Sequence, residues 1–166
     1  GSDRAVIAGL LDMETDDVRI RESLDLAKES GFEWQFKAVM NASALHPNAI
    51  RIRVKAGKKE IEVLGISRGG GLVSIVEMDG FRCNFTAQQH TLIVTAQDVK
   101  GSIAFIASIL SHEDCNIATM TVDRHAKDGV ARLVLEVDSP VRDLTVDYIE
   151  SQRWVDLVTF LPDIHL

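Results

Sequence analysis

The 166-residue chain is 46% hydrophobic and 26% charged, proportions that suit one or two small core-forming domains and exclude a largely disordered protein. Eighteen basic residues against 25 acidic ones leave a net charge of −7, which argues against a nucleic-acid-coating protein. Two lone cysteines, Cys83 and Cys115, lack CxxC spacing and argue against a disulfide framework or a metal site built from this chain alone. No apolar run approaches the roughly 18 residues of a membrane span and no signal-peptide pattern opens the chain, so a cytoplasmic location is expected.

In chain order, Asp3-Arg4-Ala5-Val6-Ile7-Ala8-Gly9-Leu10-Leu11 reads as a short helix that begins mid-pattern, as a piece of a longer polypeptide does. Asp16 and Asp17 are N-cap candidates for a second helix with apolar positions Ile20, Leu24 and Ala27. Gly31 stands where a C-cap glycine belongs. Phe32, Trp34, Phe36 and Ala38 alternate with Glu33, Gln35 and Lys37, which predicts a half-buried strand. After the His46-Pro47-Asn48 turn, Ile50, Ile52 and Val54 alternate with Arg51, Arg53 and Lys55 in a strand with a basic outer face. Ala56-Gly57-Lys58-Lys59 turns the chain into a strand from Glu60 to Ile66. Ser67-Arg68-Gly69-Gly70-Gly71 bends it again before a strand from Leu72 to Met78. Asp79-Gly80 is a strong two-residue hairpin signal, and Phe81 to Thr86 closes the meander. The first half is expected as two helices on an antiparallel sheet.

Composition shifts at Ala87-Gln88-Gln89-His90, which divides the chain into domains 1–87 and 88–166. The second half is predicted as strand (Thr91–Ala96), helix (Ser102–Asp114), strand (Asn116–Arg124), strand (Val130–Val137), helix (Val141–Gln152) and strand (Trp154–Leu161). The second helix is expected to start at Pro140, a favoured first-turn residue. This βαββαβ order is the ferredoxin-like arrangement. The fold class is therefore α+β.

Several features invite a functional reading. Six basic residues, Arg51, Arg53, Lys55, Lys58, Lys59 and Arg68, face only Glu60 and Glu62, a +4 segment that leaves −11 for the remainder. It is either a solvated hairpin face or an anion and partner surface. Arg68 with Gly69, Gly70 and Gly71 is either a bend permitting close backbone approach or a backbone nest for an anion. It lacks the spacing of a phosphate loop. No two of the five histidines stand at i, i+3 or i+4, so local spacing supports no metal site. His46, in a turn beside a strand, reads either as a structural hydrogen-bonding group or as a site residue. At the strand-to-helix junction Asp98-Val99-Lys100-Gly101, helix N–H groups can meet a carboxylate, although Asp98 and Asn116 also serve as ordinary turn and cap residues. No catalytic constellation stands out.

The 3–11 string, the His46-Pro47-Asn48 turn, the Gly65-Ile66-Ser67-Arg68-Gly69-Gly70-Gly71 bend and the Ile75-Val76-Glu77-Met78-Asp79-Gly80-Phe81 hairpin together resemble the beta part of bacterial iron–sulfur-dependent L-serine dehydratases. The second half, with Asn116-Ile117-Ala118, Met120 and Asp123-Arg124, resembles that family's ACT domain. The resemblance runs over essentially the whole chain. It implies conversion of L-serine to pyruvate and ammonia by a 4Fe–4S cluster held on cysteines of an alpha part, with no cofactor in this chain. It also implies an allosteric-substrate-binding-type first domain, incomplete here because the family's serine-rich N-terminal motif is missing. A regulatory and structural role follows, with an alpha chain or domain as partner and neither nucleic acid nor membrane. The alternatives are a stand-alone amino-acid-sensing module or the regulatory region of a phosphoglycerate dehydrogenase.

The family's amino-acid-binding turn is altered: Ala96 replaces a histidine, Asp98 holds the asparagine position and Lys100 replaces a proline, whereas Gly101 and Asn116 are retained. The resemblance implies an ACT homodimer with L-serine in the interface. Its carboxylate would lie on the N–H groups of Gly101 and Ser102, its ammonium on Asp98, and Asn116 would reach in from the second copy. An exposed edge, Thr91–Ala96 or its neighbour, is expected to carry the pairing.

Overall fold

The computed structural model describes residues 1–38, 48–86 and 88–164. The chain divides into two compact units, Gly1–Ala44 and Leu45–His165. In the first, α1 (Ser2–Leu10) is followed by a 3-10 turn (Val18–Glu22) that runs directly into α2 (Ser23–Glu29). The expected second helix is thus present but begins tightly wound. Asp17 caps it, its carboxylate accepting the Arg19 backbone N–H at 2.8 Å. At its far end Gly31, with φ +77°, lets the Phe32 N–H reach the Ala27 carbonyl at 2.9 Å and the Gly31 N–H reach Lys28 at 3.1 Å. Ile7, Ala8, Ser23 and Ala27 are buried, and the Ser23 hydroxyl donates to the Arg4 carbonyl at 2.9 Å.

The strand expected over Phe32–Ala38 is not formed. Residues 32–38 adopt no regular structure, and Phe32 and Phe36 are exposed. Alternation makes a strand only where a ladder partner exists, and no described strand pairs with this segment.

The second unit holds two four-stranded antiparallel sheets. The first is a meander of β1 (Ala49–Ala56), β2 (Lys59–Gly69), β3 (Leu72–Met78) and β4 (Phe81–Phe85) in sequential order. Asp79 and Gly80, with φ of 51° and 80°, form the two-residue turn between β3 and β4 that favours such dipeptides.

The second sheet has β5 (His90–Gln97), α3 (Ser102–His112), β6 (Ile117–Arg124), β7 (Val130–Val137), α4 (Asp143–Glu150) and β8 (Val155–Leu161). Its strand order is β6-β7-β5-β8, the ferredoxin-like arrangement expected from the βαββαβ order. Leu92 on β5 lies opposite Leu135 on β7 and Phe160 on β8. Leu92, Val94, Leu133, Leu135 and Val137 meet Ile106 and Leu110 of α3 and Ile149 of α4 in the main core. Ile93 and Val134, on the opposite face, pack with Cys83 and Phe85 of the first sheet. The change in composition near residue 87 coincides with the passage between sheets, yet this shared cluster keeps both in one compact unit.

Three expectations for this half are corrected. Of the two edge candidates, Thr91–Ala96 lies within β5, a central strand, whereas its neighbour β8 is an edge, as is β6. The second helix begins at Asp143 rather than Pro140, because the buried Val141 is anchored in the core and Arg142 remains extended. The first helix stops at His112, two residues early, since Asp114 takes a left-handed φ of 55°.

Charged groups lock the surface. Arg142 and the Thr145 hydroxyl both donate to Glu113, and the Arg142 guanidinium holds that carboxyl below its ordinary value of 4.5. Arg53 and Arg51 do the same to Glu62, and the Arg82 N–H to Asp123. Each folded-state pKa lies below the unfolded one, so this stabilisation is complete above the ordinary carboxylate range and disappears as pH falls through the folded values. The melting temperature is expected to drop between about pH 5 and pH 3. A flat melting curve across that window would contradict the sign.

Candidate functional site

The cleft candidates are set out by one strand, one helix and the turns between them. Asp98 follows the last residue of β5. Its carboxylate accepts from the Arg124 guanidinium at the end of β6 and from the Asp128 N–H at 3.3 Å. The Arg124 hydrogen bond, foremost, keeps this carboxyl below its ordinary value of 3.8, so Asp98 is anionic near neutral pH. Arg124 reaches it along a register row with Ala131 on β7 and Ala96 on β5, both buried and too small to block a long side chain.

Gly101, with φ +86°, is the N-cap of α3, and Ser102 is its first helical residue. Asp98, Gly101 and Ser102 gather at one end of the helix. Asn116 lies beyond the other end, where its amide donates to Asp138 at 2.9 Å. An 11-residue helix is about 16 Å long, so one chain cannot close all four residues around one small molecule. Asn116 lines a recess of ≈ 280 Å³ with Ala107, Ser111, Asp114, Cys115 and Ile117.

The basic segment is less bare than its count suggests. Arg53 is paired with Glu60 and Glu62, Lys55 with Glu60 at 3.2 Å, and Arg51 with Glu62 and with Glu77, the latter at 3.0 Å. These cross-strand pairs form a mixed-charge ladder on β1, β2 and β3. Arg68 donates to the Ser74 hydroxyl at 3.2 Å, beside a bend in which Gly69, Gly70 and Gly71 all have positive φ. His46 lies outside the described residues.

The two cysteines lie in separate cores and do not come together as cluster ligands. Cys83 is buried in β4, where desolvation pushes its thiol up to about 11, and it donates to the Ile75 carbonyl at 3.7 Å. Cys115 belongs to the separate main core, also with a raised pKa from burial. Among the described residues no three His, Cys, Asp or Glu side chains come together as a metal site. No described helix is long and apolar enough to cross a membrane.

Sequence reading missed the residues that surround the candidates. Arg132 and Glu136, buried in β7, bind the first sheet: Arg132 donates to the Met78 carbonyl and to Asp79, and Glu136 accepts from Thr86. His125 stacks on Phe81 with ring centroids 4.0 Å apart. Only an unexpected charge in an otherwise apolar strand hinted at Arg132 and Glu136. Arg124 could be found solely through the strand order that brings it to Asp98.

No family model matches the chain. It is 33% identical over 163 residues to the probable L-serine dehydratase beta chain of Bacillus subtilis (strain 168), covering 98% of this chain and 74% of that protein. It is 31% identical over 164 residues to the L-serine dehydratase beta chain of Peptoniphilus asaccharolyticus, covering 95% and 74%. A D-3-phosphoglycerate dehydrogenase of Bacillus subtilis is 29% identical over 144 residues, 86% of this chain but 27% of that enzyme. Among solved structures, the ACT domain from GTP pyrophosphokinase of Chlorobium tepidum is 24% identical and covers 43% of this chain and 95% of its own, with a TM-score of 0.36.

Proposed function

This chain belongs to the L-serine dehydratase beta-chain family, and we propose from that premise that it is the regulatory and structural component of an L-serine ammonia-lyase. In this reading an alpha chain or domain holds the 4Fe–4S cluster and converts L-serine to pyruvate and ammonia. The cluster supplies Lewis-acid chemistry at the substrate hydroxyl. The two cysteines here are buried in separate cores, which supports placing the cluster on the partner. A cytoplasmic location is part of the same reading, in keeping with free thiols. The mixed-charge ladder carrying Arg51 and Arg53, with Arg68, Gly69, Gly70 and Gly71 at its end, is the surface offered to the partner.

The amino-acid site is proposed at a two-fold interface of the ferredoxin-like halves, and one observation carries it: the candidate residues stand at opposite ends of an edge strand. Asn116 precedes β6, whereas Arg124, at its end, holds Asp98. Antiparallel pairing of β6 with a second copy would bring Asn116 of one to the Asp98 end of the other. Met120 and Val122, opposite Leu135 and Leu133, are 45% and 42% exposed along this edge, apolar surface that such pairing covers. L-Serine fits the resulting cleft: Asp98 for the ammonium, the N–H groups of Gly101 and Ser102 for the carboxylate, and Asn116 from across the interface.

Two measurements test these proposals. The purified chain alone should release no pyruvate from L-serine, whereas anaerobic co-expression with an alpha chain should give an active assembly, weakened in a salt-dependent manner by Arg51→Glu with Arg53→Glu. An assembly that makes no pyruvate would remove the lyase reading. Calorimetry should show L-serine binding to the wild type and at least about tenfold weaker binding to Asn116→Ala, equivalent to ~1.4 kcal/mol. Equal heats in both would leave the interface as a dimerisation element.

The rival is a regulatory region of a phosphoglycerate dehydrogenase, favoured by the 86% of this chain that matches one. The match covers only 27% of that enzyme, against 74% of the beta chains.

A further inference from the structure

We infer that the β6–β7 turn, residues 125–129, is the coupling element between the candidate amino-acid cleft and the first sheet, with Arg124 and His125 as its two adjacent contacts. One side of this turn is tied to Asp98. Arg124 and the Asp128 N–H both bond the Asp98 carboxylate, and the Asp98 N–H donates to the Gly129 carbonyl at 2.7 Å. The other side rests on the β3–β4 hairpin. The His125 ring lies flat on Phe81, 4.0 Å between centroids and 3° between planes, and its Nε2 is 3.1 Å from the Gly80 carbonyl oxygen. A side chain at Gly80 would approach that ring within 3.7 Å, so the hairpin and the imidazole are in direct contact. Asp123, one residue before Arg124, accepts the Arg82 N–H at 2.7 Å on the same hairpin.

Residues 123–129 therefore hold the cleft with one set of groups and the neighbouring sheet with another. A ligand ammonium on Asp98 must compete with Arg124 and the Asp128 N–H for the same carboxylate. Any change in that sharing bears on a turn whose next side chain is stacked on Phe81. Coupling of this kind needs a continuous physical path, and here it runs from Asp98 through Arg124 and His125 to Phe81. The amino-acid end of this inference rests on the proposed cleft; the mechanical link between Asp98 and the hairpin does not.

Amide hydrogen exchange on the full chain separates the two. Asp98→Ala should speed exchange across residues 79–85 by about threefold or more, while the β1–β2 turn at residues 56–59 stays at the wild-type rate. His125→Ala should loosen the hairpin by itself, and adding Asp98→Ala to it should bring no further change, the signature of a shared path. Asp98→Asn serves as the milder variant should alanine impair folding. A hairpin that keeps its wild-type rate in both Asp98 variants overturns the coupling, whatever L-serine does. With L-serine present, the wild type should show altered hairpin exchange, and His125→Ala should bind with a Kd within about twofold of the wild type yet show no ligand-dependent change. Absent binding heat with the Asp98→Ala effect intact removes the serine cleft and leaves the link standing.

Discussion

Leu135→Ala should destabilise the second unit by about 2–5 kcal/mol, lowering its melting temperature by on the order of 10 °C. Leu135 is 0% exposed on β7, between Leu92 of β5 and Met120 of β6. It belongs to the core into which α3 and α4 place Ile106, Leu110 and Ile149. Strands on either side fix the backbone of β7 by ladder bonds, so the surroundings cannot collapse into the space left by three carbons. Chemical denaturation with a fixed m-value measures the loss. A cost under about 1 kcal/mol would mean that this core repacks freely.

Arg132→Met is expected to cost about 3 kcal/mol, and its effect should be concentrated where the two sheets meet. The guanidinium is 7% exposed by residue and lies on the sheet face turned away from the helices. It donates to the Met78 carbonyl at 2.9 Å, to Asp79 at 2.8 Å and to the Thr95 hydroxyl at 3.2 Å, and stands 4.9 Å above the Phe81 ring. Methionine keeps much of the volume but removes every donor, leaving Asp79 Oδ2 and the Met78 carbonyl without the guanidinium, while Asp79 Oδ1 still accepts the Glu62 N–H at 2.8 Å. Asp79 keeps access to water, which holds the cost near the lower end for a broken buried pair. Hydrogen exchange should rise at the β3–β4 hairpin more than in α3 or α4. A uniform rise over the whole unit would place the ion pair in the global core instead of at the joint.

Local chemistry was legible residue by residue. The Asp79-Gly80 turn, the alternation of Ile50, Ile52 and Val54 and the Gly31 terminus all appear where their side chains direct. These features depend on contacts within a few residues, which the chain carries with it. Phe32–Ala38 shows the limit, since its alternation matches a strand as well as any other segment but finds no described partner. The candidate site was half legible in the same sense. Gly101 and Ser102 could be placed at a helix start, but the Arg124 partner of Asp98 comes from 26 residues away.

What the sequence determined by itself, then, was the short helices, the strands from β1 onward and the ferredoxin-like order of the second half, because hydrophobic period and turn residues act over short range. Tertiary structure decided which strands are edges, and it made β5 central by inserting it between β7 and β8. It also turned a +4 segment into a paired ladder by bringing Glu77 to Arg51, and it buried Arg132 and Glu136 by laying one sheet against another. Strand order, charge pairing across strands and burial of the second face of a sheet all depend on partners distant in the chain, and the local alternation of side chains is the same whichever partner arrives.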